Sequence, residues 1–555
     1  MSASLMLVAA IPLVWLMPNH YLPWPSAWQD GVALALLFGG ALAARQRTTL
    51  PLVWVAAISI AAATVALQWA TGRIMFGGDA LMVLLYLGAF ILSISLGSTL
   101  PEPRREVNPW ALDVVASVTV LSAVASVGIA LVQWTGSVSL GIWSADLPPG
   151  ARPFANVAQP NHLCTLAFLG VCALLHLREK ERIGTAGFWL GSSYLLAGMV
   201  LSASRTGWVQ VAALVVLAVA FQRRTASRIR ATNVAGLAII YIVGTFAWPA
   251  INDGLLLSGG RGVTQQIEGG ARVPLWIALI DAVGREPWWG YGWQQVAAAQ
   301  QAVALDHPPI QRHFEHSHNI ALDLLVWAGI PLGGLIIALG AGALVIQARA
   351  LRDPRALWLI AAVLGLVLHG LLELPLEYAY FLLPMGLALG AANALCKAGP
   401  QVQFSVWGLR TAGLVGALLF TAIAMEYLEA EQNHRLLRLE SARIGTTRIE
   451  SPAPELRLLT QLRGILEFAR VEGRPGMDPA VVDRMRAVSL RYPFPPVMIR
   501  YALVAGLNGR RAEASLTLAR LCSMHPPARC GEARDSWAAL RVRYPVLLEV
   551  EKPTP

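Results

Sequence analysis

Long apolar runs separated by short polar stretches carry the chain from Leu5 almost to Met425. Each run of about 17 residues or more is long enough to cross the hydrocarbon core as a helix, which satisfies its own backbone there. The pattern predicts about thirteen spans, at roughly 3–18, 29–44, 50–68, 80–97, 110–133, 161–177, 186–203, 206–221, 232–250, 318–346, 356–373, 378–396 and 405–424. From Glu426 the rhythm changes. Apolar runs shorten, and "EYLEAEQNHRLLRLESARI" and "MIRYALVAGLNGRRAEASLTLARL" keep a helical apolar spacing among arginines and glutamates. The second segment looks like a tetratricopeptide-type hairpin turning at "NGR", and one hairpin does not make a repeat array. The expected fold class is all-α: a polytopic transmembrane domain over 1–425 and a soluble helical domain over 426–555.

Composition agrees with this division. Hydrophobic residues make up 56% of the chain and charged ones 14%, where a soluble protein carries nearer a quarter charged. No Lys or Arg precedes the first run, so it is expected to be retained rather than cleaved as a signal peptide. Basic residues mark alternate short loops: Arg45 and Arg47, Arg104 and Arg105, Arg178, Lys180 and Arg182, Arg223 to Arg230, Arg349 to Arg355, and Lys397. The intervening short loops hold little beyond Arg73, Arg152 and Arg205. The positive-inside rule then puts the first set and the N-terminus in the cytoplasm. The long loop 251–317 and everything after about 425 lie outside. The net charge of +10 is spread over these loops in small groups and the C-terminal domain. No continuous basic stripe forms, which argues against nucleic acid as a partner; membrane lipids are the surroundings to expect.

Cys164, Cys172 and Cys396 fall in or beside apolar helices and read as packing residues. Cys522 and Cys530, in "CSMHPPARC", face the outside, where an oxidising compartment would allow a short-loop disulfide. With His525 they also suggest a metal, but a fourth ligand is missing.

Ionisable and amide side chains at membrane depth are costly, which makes them functional candidates. Here they gather at the outer helix ends. "RPFANVAQPNHL" supplies Asn156, Gln159, Asn161 and His162, as helix cap and solvated loop or as sugar-binding amides. "SASRTGW" places Arg205 in a tight hairpin among Ser202, Ser204 and Thr206, on the face the positive-inside rule disfavours; a phosphate oxygen would suit it. "ARVPLWIALIDAV" starts an amphipathic helix with Arg272, where the helix dipole disfavours a cation unless an anion is near. "REPWWGYGWQQV" follows, an interfacial aromatic belt or a sugar-stacking floor. Then "EHSHN" brings His316, His318 and Asn319 to the start of an apolar helix. Three readings stand for it: Asn319 as helix cap with incidental histidines, a His-x-His metal site along an extended strand, or an imidazole base acting on a hydroxyl. "HGLLELPLEYAYFLLP" adds Glu373 and Glu377, carboxylates able to orient an imidazole or pair with an arginine.

These motifs resemble a known family. "SRTGW", the arginine of the long outer loop, and "HSHN" before "WAGIPLGG" are similar to the O-antigen ligase/polymerase superfamily. "MPNHYLPWPSAW", "FANVAQPNHL" and "HGLLELPLEYAYFLLP", with a C-terminal helical domain, look like its PglL-type protein O-oligosaccharyltransferases. The resemblance implies a GT-C-like membrane enzyme with no cofactor or metal. It would transfer a glycan en bloc from undecaprenyl pyrophosphate to Ser or Thr hydroxyls of periplasmic, pilin-like proteins. Carried over residue by residue, it makes Arg205 and Arg272 the pyrophosphate ligands and His318 the base, with His316 the competing assignment. Asn161, Gln159, Asn319 and Glu373 would support the site. Two rivals remain. An O-antigen ligase acting on lipid A–core shares these residues. A transporter of lipid-linked glycan would instead need charges at mid-membrane and internal repeats.

Overall fold

The computed structural model describes residues 10–101, 111–157, 159–255, 257, 270–441 and 452–551. It is an all-α polytopic membrane protein. Among the described residues nine helices are long and apolar enough to cross a membrane, and Ala27–Leu42, Thr185–Leu201 and Pro354–Gly370 are shorter apolar helices. Helices follow the predicted spans closely because in lipid the backbone has no partner but itself. The first predicted span, 3–18, lies partly outside the described residues; of it, Leu13–Leu16 is helical. The chain divides into two compact units.

The first unit comprises Met1–Ile58, Leu85–Glu268 and Ala338–Thr421. Its helices include α1 (Leu13–Leu16), α2 (Ala27–Leu42), α5 (Ala111–Thr135), α6 (Pro160–Glu179), α7 (Thr185–Leu201), α8 (Arg205–Thr225), α9 (Ala231–Gly254), α13 (Pro354–Gly370) and α14 (Ala379–Cys396). Helix α6 is the core, 89% of its apolar window being buried. It packs against α5, α7, α8 and α13. Small residues allow that approach: Gly365 of α13 receives the Phe168 ring, and a side chain at Gly170 would meet Ala123 and Leu195 within 2.8 Å. Strands β1 (Thr48–Pro51) and β2 (Gln401–Phe404) form a short antiparallel pair with Thr48 opposite Phe404.

The second unit comprises Ser59–Leu84, Gly269–Ile337 and Ala422–Pro555. The long loop after α9 supplies α10 (Arg272–Arg285) and α11 (Val296–Val303), and the C-terminal part α16 (Thr460–Phe468), α17 (Pro479–Arg491), α18 (Pro495–Leu507), α19 (Arg511–Met524) and α20 (Pro527–Arg543). α18 and α19 form a hairpin across Asn508–Arg510, where Gly509 takes φ +81°. Phe468, Met485, Tyr501, Leu518 and Trp537 fill the core. Cys522 and Cys530 are disulfide-bonded, joining α19 to α20 with Cα atoms 4.8 Å apart. Gln301 Nε2 donates to Leu490 O (2.9 Å) and Ser523 Oγ to Ala304 O (2.6 Å), so the C-terminal helices hold this loop. Arg491 binds both carboxylate oxygens of Asp79 at 3.1 and 3.3 Å, with Glu315 3.7 Å away. Burial opposes the charge on Arg491, but Asp79 and its neighbours outweigh that and hold its pKa above the ordinary value.

One departure from the predicted spans is in α12 (Ile320–Ala350), whose ladder breaks at Gly329 (φ 73°, ψ 176°). Pro331 has no N–H to give Trp327 O, and Ile330 N turns away from Val326 O to Pro287 O at 2.7 Å. The two freed carbonyls are taken by Tyr291 N (2.8 Å, on Val326 O) and Gly292 N (3.1 Å, on Trp327 O). Gln68, buried in α3 (Leu52–Ala70), adds its amide to Trp327 O and Trp289 O at 2.8 and 3.0 Å. Residues 330–350 alone measure about 31 Å, enough for one crossing.

Candidate active site

In the second unit the histidine segment is built around Ser317, which is fully buried. Its N–H donates to the buried Asp323 carboxylate at 2.7 Å, its hydroxyl donates to Asn319 O at 2.8 Å, and its carbonyl accepts from Trp276 Nε1 at 2.8 Å. Asn319 caps α12, its Oδ1 accepting from Ala321 N and Leu322 N at 3.0 and 3.2 Å. The cap reading and the chemical reading of this segment therefore fall on different residues. His316 and His318 flank Ser317 and are both half-buried. His316 sets its ring 6.2 Å from Trp327 and His318 sets its ring 5.6 Å from Phe314. The extended strand that a His-x-His metal pair requires is not formed: His318 lies at φ 60°, in the left-handed region. Among the described residues no three His, Cys, Asp or Glu side chains gather as a metal site.

Arg272 opens α10, and Trp276, one turn later, lies on the same edge of that helix. The indole bond to Ser317 O brings this edge to the histidine loop. The His318 pKa is pushed down to about 4, first by burial, then by the positive charge of Arg272, His316 and Arg312. A neutral imidazole thus stands within electrostatic reach of a guanidinium. Of the four aromatics in "WWGYGW", Trp288 and Trp289 are 71% and 47% exposed, whereas Trp293 is buried and stacks on Trp327 at 5.1 Å. The segment is therefore not a single belt; its last tryptophan is core.

The first unit collects the remaining candidates. Ser204 caps α8, accepting from Thr206 N, and donates its hydroxyl to Asn161 Oδ1 at 2.8 Å. Asn161 Nδ2 donates to Glu373 Oε1 at 2.7 Å, so an amide is among the partners of this buried carboxylate. Arg205 is the first residue of α8 and half-buried. Ser202 does not face outward as a donor beside it; its hydroxyl bonds Met199 O at 2.6 Å. Gln159 occupies the N-cap of α6 with an extended backbone and no side-chain cap bond. Arg152 bonds the carbonyls of Ser202 and Ala203, both at 3.0 Å, closing the hairpin that Arg205 leaves.

Beneath these lies a polar network that hydropathy conceals. Asp30, fully buried, accepts from Ser26 Oγ at 2.6 Å and Tyr86 Oη at 2.9 Å. His162 shares a hydrogen bond with Tyr380 Oη at 2.9 Å. His20 and Asn156 O are joined at 2.7 Å, and Asn156 Nδ2 donates to Leu16 O and Trp143 O. "MPNHYLPWPSAW" and "RPFANVAQPNHL" are thereby tied together. The motif "MPNHYLPWPSAW" signals His20, but Asp30 sits in an apolar window and nothing local marks it.

Comparison with known proteins agrees with this architecture. The family described as "O-Antigen ligase" matches residues 190–337, and "Virulence factor membrane-bound polymerase, C-terminal" matches residues 356–539. A general O-oligosaccharyltransferase of Acinetobacter baylyi is 26% identical over 551 residues, 94% of this chain and 92% of that protein. A ComP-specific O-oligosaccharyltransferase of the same organism is 28% identical over 241 residues, 43% of each chain. The chain carries O-antigen ligase family domains and is, along nearly its whole length, a relative of the O-oligosaccharyltransferases, enzymes of the glycosyltransferase class.

Proposed function

We propose that this protein transfers a preassembled glycan from undecaprenyl pyrophosphate to Ser or Thr hydroxyls of periplasmic, pilin-like acceptors. Its place is the bacterial inner membrane, N-terminus in the cytoplasm and C-terminal helices in the periplasm, as the basic loops indicate. The observation that carries the reading is the Trp276–Ser317 bond, which sets the Arg272 edge of α10 beside His318. His318 takes the proton of the acceptor hydroxyl as its oxygen attacks the anomeric carbon. The bond from that carbon to the phosphate oxygen breaks with inversion, and the electron pair leaves on the pyrophosphate. Arg272 neutralises charge growing on that leaving group. Arg205 is assigned the same anion on family resemblance, and Asn161, Gln159 and Glu373 a supporting part.

Purified protein, lipid-linked oligosaccharide and an acceptor peptide test this directly, with glycopeptide detected by mass spectrometry. Its absence under conditions where the protein stays folded sinks the proposal. A second reading, the ligase, rests on the match over residues 190–337. Glycan appearing on lipid A–core while the peptide stays unmodified would decide for it.

A further inference from the structure

Helix α10 has more apolar surface than its core contacts use. Leu275, Ala278, Leu279 and Ala282 are buried against the unit. Val273, Ile277 and Ile280 form a second stripe, within about 60° of one another around the axis, and are 55%, 57% and 62% exposed. A face turned to water would be polar there. Arg272 stands at one end of the stripe, on the edge that Trp276 docks against the histidine loop. At the other end the chain runs into Trp288, 71% exposed, where the backbone is bonded to the break in α12 at Gly329. Residues 330–350 suffice to cross the hydrocarbon, so the outer edge of the membrane can lie at that break.

We propose that this face carries the isoprenoid chain of the donor, with the pyrophosphate at Arg272 and the first isoprene units along Val273, Ile277 and Ile280 toward Trp288. The inference rests on the donor chemistry proposed above and states where its lipid part lies. The stripe covers about 12 Å of helix from residue 272 to residue 280. A cation at the head and hydrocarbon behind it match an anionic amphiphile. A peptide in the same place would leave its backbone N–H and C=O groups facing an apolar surface. Held this way, the leaving group is fixed from both sides before the acceptor arrives.

The test is equilibrium binding of two glycan-free probes to full-length protein in detergent: a long-chain polyprenyl pyrophosphate and inorganic pyrophosphate, which has no chain to lie on the stripe. Wild type should prefer the long chain. The Ile277→Ser/Ile280→Ser variant, altered only at exposed positions, should lose about tenfold of that preference, and Ile280→Leu should retain it. The same preference in wild type and the serine variant would overturn the proposal, as would an equal loss for both probes. Binding does not require transfer. A wild-type protein that binds with the expected preference yet makes no glycopeptide would refute transfer to protein and leave the lipid track standing.

Discussion

The acid limb of the transfer reaction follows from the surroundings of His318. A free histidine titrates near 6.5, whereas burial first, then Arg272, His316 and Arg312, pushes His318 down to about 4. As the general base proposed above it must be neutral. At pH 5.5 roughly 97% of a group with a pKa near 4 is neutral, against roughly 9% for one near 6.5. Hence kcat/KM, which reports the unliganded enzyme, should stay within about 10% between pH 7.5 and 5.5 and fall with a midpoint near 4. Arg272→Gln removes the largest of the charges acting on His318, so its limb should move up toward 6.5 while donor binding weakens. In the wild-type complex an anionic donor at Arg272, as proposed, would act in the same direction, and the limb in kcat should lie above that in kcat/KM. The assay is the glycopeptide reaction at fixed ionic strength, with a melting curve at each pH to exclude unfolding. His318→Ala should abolish transfer without preventing membrane insertion. A wild-type kcat/KM midpoint between 6 and 7 would refute the reasoning, and full activity in His318→Ala would move the base to His316.

Other consequences follow from the same contacts. Gly329→Ala forces a side chain into the left-handed region within 2.7 Å of Pro287 O and Trp288; a loss of roughly 2 kcal/mol or more, read as a lower melting temperature, is expected. Asp79→Asn leaves the buried Arg491 with a neutral partner and should cost roughly 3 kcal/mol, seen as reduced yield and early unfolding. His525 is held to about 4, chiefly by burial, with the Pro493 carbonyl opposing, whereas the unfolded chain protonates near 6.5. The unfolded state therefore binds more protons between those values. Stability is full above about pH 6.5 and declines as pH falls toward 4, and His525→Gln should flatten that part of the melting-temperature profile. Closing the short Cys522–Cys530 loop contributes about 2.5 kcal/mol in the chain-entropy view, so the double serine variant should melt earlier and no longer shift gel mobility with reductant.

Spans such as 186–203, 206–221 and 232–250 were legible because hydrocarbon removes every backbone partner except the helix itself, and the helices Thr185–Leu201, Arg205–Thr225 and Ala231–Gly254 answer them within a few residues. The Asn319 cap was legible for a similar reason, since a capping side chain bonds amides two and three residues ahead. His316, His318, Arg205 and Arg272 stood out because charge and imidazole are rare in such a chain. Their surroundings did not. Membrane helices are apolar on every side, so periodicity does not say that α6 is the buried one or that Asp30 faces Tyr86, 56 residues away. Gly329 became a break only through the backbone of the "WWGYG" loop, which takes up the carbonyls that Pro331 cannot serve. The Arg491–Asp79 pair joins positions 412 residues apart. The sequence by itself determined the elements and the residues that stand out as candidates among them. Tertiary structure alone decided which of these touch, since hydrogen-bond geometry and burial depend on neighbours that are distant along the chain.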